Sequence, residues 1–367
     1  MPSTETKLPV GLCLPGGGAP GAMFQIAAIA ALEQCIEGFE GGACEIYVGT
    51  SSGANLAAAL AAGTETQRIY RAFLDPADDF FPLERKHILR MDLAQWGKTI
   101  EALVRTIGHG SKSILSRPVP AAPQVLWEEL SRFYDSVPAG LFSLDAYERF
   151  LEETFVRRNV PLHFTGLRRC LRIIAHDLDT GNAVLFGAPG TEHVPIARAC
   201  VASMATPPLF APVRIGERHY FNPEPSHVSH VDVAVELGAK IVILVNPMVP
   251  VRFDGSSSDT GARSREGHTS LRDKGAMRVA NQAHRIKLHG LLQASVARAR
   301  EQGVKVIVIE PEAADATLLL HNPPGFAARR TVLEHSFRYT CNLVTRWIQD
   351  GNLPLTEAGW RARSSGS

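Results

Sequence analysis

The chain has 367 residues, with 38 Lys and Arg set against 37 Asp and Glu, and is 45% hydrophobic. That length accommodates one large α/β core with insertions, or two modest domains. A formal net charge of +1 excludes a basic excess of the kind that binds nucleic acid, and gives no electrostatic basis for attachment to a membrane.

Residues 1–7 have no apolar signal core and are expected to be disordered. Val10-Gly11-Leu12-Cys13-Leu14 reads as a first buried strand, followed by the loop Gly16-Gly17-Gly18-Ala19-Pro20-Gly21 and a helix from about Ala22 to about Ile36. Glu45 to Val48 is a second strand, and Ala54 to Leu60 a strongly helix-forming run. Strand, helix, strand, helix in this order argues for a parallel sheet covered on both faces. From about residue 76 to 164 strand signals vanish and three amphipathic helices are expected, Trp96 to Ile107, Pro123 to Tyr134 and Leu144 to Phe155, forming a helical insertion.

The sheet resumes at Leu171–Ala175 and Ala183–Phe186, with Asp177 and Asp179 in the turn that joins them. Ile196 to Met204 is a short helix stopped by Pro207-Pro208; Val213–Ile215 and His219–Phe221 are short strands; Val231 to Leu237 is helical, and Ile241–Val245 is a buried strand. Residues 252–275 read as a flexible polar loop, Arg278 to Gln302 as a long helix, Val304 to Glu310 as the last strand, and Arg329 to Asp350 as a C-terminal helix. Residues 351–367 are expected to form a tail, disordered from Arg361 onward. The six cysteines form no CxxC pair and read as small core residues. No stretch reaches the roughly 18 apolar residues of a membrane span, and a cytoplasmic location is expected.

Gly49-Thr50-Ser51-Ser52-Gly53 places a serine between two glycines where a strand turns sharply into a helix. This is the pattern of a nucleophile elbow, in which flanking side chains must be absent and the helix start faces a developing oxyanion. The plainer alternative is an N-cap serine. Upstream, Gly16, Gly17 and Gly18 can expose consecutive N–H groups at a helix start, as an anion-binding nest requires. The same glycines fit a dinucleotide fingerprint, but that reading wants an acidic residue ending the second strand, where this chain has Gly49.

The glycine loop and the elbow, taken with Asp177–Gly181, Ala199–Ser203, Pro207–Val213 and Asp232-Val233-Ala234, resemble the patatin-like phospholipases. The resemblance runs from about Leu8 to Pro247 outside the insertion. It implies a three-layer α/β/α fold with a mostly parallel central sheet, spanning residues 8–350 as one domain. It also implies a Ser–Asp dyad that cleaves lipid acyl esters (a phospholipase A or lipid esterase activity) without metal or organic cofactor. On that resemblance Ser51 is the nucleophile and the Gly16, Gly17 and Gly18 amides form the oxyanion hole.

Two positions depart from the family pattern. Pro20 stands where a basic residue is usual, removing one N–H and one charge, which is expected to shift substrate preference more than to abolish activity. The dyad aspartate falls on Asn222, whose amide can hold a hydroxyl but cannot take its proton. The chain is then an engineered inactive form, a natural non-hydrolytic relative that binds lipid or acyl groups, or an enzyme with another base; His227, His230 and Glu224 are the candidates. Phe80, Phe81, Leu103, Val104, Leu126, Trp127 and Phe133 of the insertion would line an acyl cleft or form an extra core layer, each buried methylene contributing about 0.8 kcal/mol. Asp232 is expected in the first turn of a helix, and His284 and His289 are not expected to bind metal. The expected partner is a lipid or other acyl ester, with any membrane contact transient and interfacial and no nucleic acid; oligomeric state is not legible.

Overall fold

The computed structural model describes residues 7–75, 77–83, 85–88, 90, 97, 139–223, 230–252, 270–313 and 326–363. In chain order these form β1 (Val10–Leu14), α1 (Gly18–Cys35), β2 (Ile36–Glu37), β3 (Ile46–Gly49), α2 (Ser52–Ala61), α3 (Thr66–Leu74), α4 (Arg85–Ile88) and α5 (Asp145–Arg157). Next come β4 (Cys170–Asp177), β5 (Ala183–Phe186), α6 (Ile196–Met204), β6 (Val213–Ile215), β7 (Arg218–Phe221), α7 (His230–Glu236) and β8 (Ile241–Val245). The last are α8 (Ala276–Glu301), β9 (Lys305–Ile309), α9 (Phe326–Gln349) and β10 (Arg361–Ala362).

The main sheet runs β6-β7-β4-β3-β1-β8-β9, with β5 also paired to β4. The pairs β4–β3, β3–β1, β1–β8 and β8–β9 are parallel, while β5, β7 and β6 add antiparallel partners at one side. Burial on both faces is why β1 and β8 read as unbroken apolar runs. Leu12, Leu14, Tyr47 and Ile173 face one layer, which holds α1, α2, α3, α5, α6 and α9. Cys13, Val48 and Ile174 alternate to the other side, against α7 and α8. The result is a three-layer α/β/α arrangement around a mostly parallel sheet. Its parallel strands β1, β3 and β8 end at one edge, where α/β folds place their ligands.

Helix α1 is buried continuously from Met23 to Leu32, as expected of a helix covered on several sides. It begins at Gly18, four residues before the expected Ala22. Pro20 therefore sits in the first turn, where its missing N–H costs no helical bond. Helix α3 is an addition to the expected elements, although Ile69, Tyr70, Phe73 and Leu74 lie at helical spacing and pack against the core. The expected disorder after residue 360 is corrected for Arg361 and Ala362, which pair with Ile36 and Glu37. Trp360 provides the reason: it is buried, and its ring meets Phe39 edge-on at 5.3 Å. The loop expected over residues 252–275 ends in a 3₁₀ turn, Leu271–Lys274, capped by Ser270 and Asp273. Apart from Gly97, the expected helix Trp96–Ile107 lies outside the described residues, as do the expected helix Pro123–Tyr134 and residues 1–6. Among the described residues no helix is long and apolar enough to cross a membrane.

Candidate active site

Strand β3 delivers Gly49 to the carboxyl edge of the sheet, and the chain turns at Thr50 and Ser51 into α2. Ser51 has φ 55° and ψ −128°, a conformation that costs a non-glycine residue about 1–3 kcal/mol and persists only where its surroundings enforce it. Those surroundings are specific. Thr50 N–H donates to the Leu14 carbonyl at the end of β1 (3.1 Å), and Gly53 N–H and Ala54 N–H both donate to the Thr50 carbonyl. A Cβ on Gly53 would lie 2.1 Å from the Leu14 oxygen, so only glycine lets α2 start this close to β1. Ser51 occupies the N-cap position, yet its side chain makes no capping bond; the hydroxyl is not spent on the helix.

The Ser51 N–H donates to Ser203 Oγ (2.9 Å), and Ser203 Oγ–H donates in turn to the Ile174 carbonyl in β4 (2.6 Å). Ser203 is fully buried in the last turn of α6. In the sequence it stood out only within the resembling stretch Ala199–Ser203, with no role assigned, although a serine inside an apolar helix just before Pro207-Pro208 was a readable signal.

The glycine loop leaves β1 beside this turn. Gly17 is the N-cap of α1 and is pressed against Pro247, whose Cγ would lie 2.7 Å from a Cβ placed there. Gln25, fully buried in α1, donates from Nε2 to the Pro15 carbonyl (2.5 Å) and the Val245 carbonyl (3.2 Å), tying the loop's base to the end of β8. Gly16, Gly17 and Gly18 thus lie at a helix start on the same sheet edge as Ser51, and both helix dipoles present their positive ends there.

Asn222 follows β7 and is 2% exposed. Its N–H donates to the Ala205 carbonyl (2.9 Å) and its Nδ2 to Thr206 Oγ1 (2.9 Å). Ser203 lies in the last turn of α6 and Ala205 and Thr206 directly follow it, so one short segment contacts both Ser51 and Asn222. The sheet register agrees: β4 pairs Ile173 with Gly49 on one side and His176 with Phe221 on the other. The structure therefore brings the glycine loop, Ser51 and Asn222 to one corner of the molecule.

The alternative bases fare differently. His230 opens α7 on the opposite face of the sheet, and its Nε2 lies 2.5 Å from Thr50 Oγ1, on the residue next to the serine. Burial pulls its pKa down to about 4, leaving a neutral ring that is a weak proton acceptor. His230, one of the three candidate bases, thus has its ring in contact with Thr50. Glu224 and His227 lie outside the described residues.

Asp177, expected in the turn, is the last residue of β4, and its side chain closes the turn that follows. Its Oδ1 accepts from the Asp179 and Thr180 N–H groups and its Oδ2 from Arg218, which holds the carboxyl below the usual range. Asp232 sits in the first turn of α7 and pairs with Arg298 at 3.0 Å. His289 lies 3.3 Å from Glu310. Of the aromatic residues expected in the insertion, Phe81 packs edge-on against Phe150 at 4.9 Å, and Phe80 lies between the Arg68 and Arg158 guanidinium groups. Both belong to a core layer. Leu103, Val104, Leu126, Trp127 and Phe133 lie outside the described residues.

A family model described as Patatin-like phospholipase matches residues 12–234, a span that includes the glycine loop, the elbow and Asn222. Among solved structures, VipD from Legionella pneumophila is 13% identical, with 93% of this chain and 67% of that one covered at a TM-score of 0.35. The type III effector ExoU is 16% identical, with 92% and 53% covered at 0.37. ExoU of Pseudomonas aeruginosa in complex with SpcU is 13% identical, with 94% and 61% covered at 0.28. The match thus spans between about half and two thirds of these longer chains. No curated protein matches the chain.

Proposed function

The chain belongs to the patatin-like phospholipase family, and on that premise we propose that it is built as a serine acyl hydrolase of lipid esters, with Ser51 as nucleophile and residue 222 as the position of its base. The observation that carries this reading is the strained φ of Ser51 together with a hydroxyl that caps nothing. In the proposed reaction Ser51 Oγ attacks the acyl carbonyl carbon and loses its proton to the base. The ester C–O bond breaks, the alcohol leaves with that proton, and water hydrolyses the acyl-enzyme. The Ser51 N–H is committed to Ser203. The Gly16, Gly17 and Gly18 amides are therefore the proposed oxyanion donors, supported by the α1 and α2 dipoles.

Asn222 favours a second reading, a lipid- or acyl-binding pseudoenzyme. An amide in this place presents Nδ2 to Thr206 and has no basic site for a proton. Asn222→Asp would instead offer two carboxylate oxygens, and the Thr206 hydroxyl can turn to donate to one of them. We read the chain as an engineered or natural Asn variant of a hydrolytic scaffold, acting on a lipid acyl ester through transient contact with its surface, in the cytoplasm. The test is hydrolysis of a p-nitrophenyl ester by the unmodified chain, by Ser51→Ala, by Asn222→Asp, and by Asn222→Asp with Ser51→Ala. Turnover that appears with Asn222→Asp and vanishes without Ser51 supports a disabled dyad. Turnover in the unmodified chain that survives Ser51→Ala contradicts it, and an inert Asn222→Asp chain favours the binding role.

A further inference from the structure

The elbow is gripped from both faces of the sheet, and only one grip touches Ser51 itself. From the α6 side, Ser203 holds the Ser51 N–H. From the α7 side, His230 Nε2 meets the hydroxyl of Thr50, a residue that is 2% exposed. Thr50 is the hub of the turn: its N–H bonds β1, and its carbonyl accepts from Gly53 and Ala54. Its hydroxyl is where α7 reaches this hub. His230 is anchored in turn by its carbonyl, which accepts from Cys13 Sγ–H in β1 at 3.3 Å.

His230 also stands eight residues after Asn222. Asn222 is held by Ala205 and Thr206, and His230 by the Thr50 contact. We propose that His230 is a positioning residue for the reaction assigned to Ser51: through Thr50 it locks the elbow to the start of α7, holding the nucleophile in line with residue 222. This rests on Ser51 being the nucleophile. A neutral imidazole either accepts the Thr50 O–H or donates its own N–H to that oxygen, and Thr50 can serve in both senses. The contact lies behind the nucleophile, so its loss blurs alignment in the chemical step while leaving substrate affinity intact.

The test starts from Asn222→Asp and compares Thr50→Val, Thr50→Ser, His230→Phe and the Thr50→Val/His230→Phe double variant. Two readouts are taken: kcat and KM on a p-nitrophenyl ester, and amide hydrogen exchange of the peptide covering residues 46–56. The expected result is a kcat loss of about tenfold to a hundredfold in Thr50→Val, with KM within about twofold. The double variant should be no worse than the worse single variant, and Thr50→Ser should be near parental. Elbow exchange should quicken in Thr50→Val and in His230→Phe. Unchanged kcat in Thr50→Val, or losses that simply add, would overturn the proposal; Thr50→Val keeps the side chain's shape, so it decides even where His230→Phe fails to fold. If Asn222→Asp shows no turnover at all, it is the Ser51 reading that has failed. Exchange then decides by itself: faster elbow exchange in Thr50→Val supports the clamp, and unchanged exchange overturns it.

Discussion

At the elbow, Ser51 is held at φ 55° by bonds to β1, α2 and α6, with Gly53 fitted beneath the Leu14 carbonyl. At the corner after β7, Asn222 is more deeply buried, and its backbone is tied to Ala205 just past the end of α6. On the proposed reading, the first corner holds the nucleophile and the second the position of its base, filled by an amide that accepts no proton. Scaffold and chemistry are then separable: burial, backbone bonds and register depend on β4, β7 and the segment around the end of α6, whereas the proposed proton transfer depends on one side-chain atom of residue 222.

The largest expected effect comes from restoring that atom. Asn222→Asp should raise ester turnover about 10²–10⁴-fold, the usual worth of a positioned general base, as measured by initial rates on a p-nitrophenyl ester. At the elbow, Gly53→Ala should cost about 3 kcal/mol, the upper end of the usual overpacking penalty, because its Cβ would meet backbone and not a flexible side chain; chemical denaturation measures this. Ser203→Ala leaves the Ser51 N–H and the Ile174 carbonyl without their shared partner, at a cost of about 1–3 kcal/mol in the same experiment.

A smaller effect tests the contact behind the elbow. The folded pKa of His230 is about 4, below its ordinary value near 6.5, so the unfolded chain binds more protons between those values. Stability from this residue is complete above about pH 6.5 and is lost as pH falls towards 4, by up to about 3 kcal/mol. Thermal melts from pH 7 to pH 4 should therefore decline less steeply for His230→Asn than for the parent.

Much of this was readable in the residues. β5, α6, β6 and β8 fall where expected, because short apolar runs bounded by Gly, Pro or Asp leave few alternatives. Ser51 and the glycine loop were legible for the same reason: a turn this tight tolerates few residue types. Ser203 and the Thr50–His230 contact were not, since each depends on which helix packs on which face of the sheet, across separations of 152 and 180 residues. The packing of Trp360 was hidden likewise, because an isolated aromatic in a polar tail carries no periodicity. Residue type made His230 one of three candidate bases, while its place in the fold directs the ring to Thr50.

The central claim, that Ser51 is a working nucleophile lacking only its base, is tested most directly by intact-mass measurement after incubation with a fluorophosphonate. The account predicts a single adduct on Ser51 in the Asn222→Asp chain, formed far faster than in the unmodified chain and absent when Ser51→Ala is added. Equal labelling rates in the unmodified and Asn222→Asp chains, or an adduct that persists without Ser51, would contradict it.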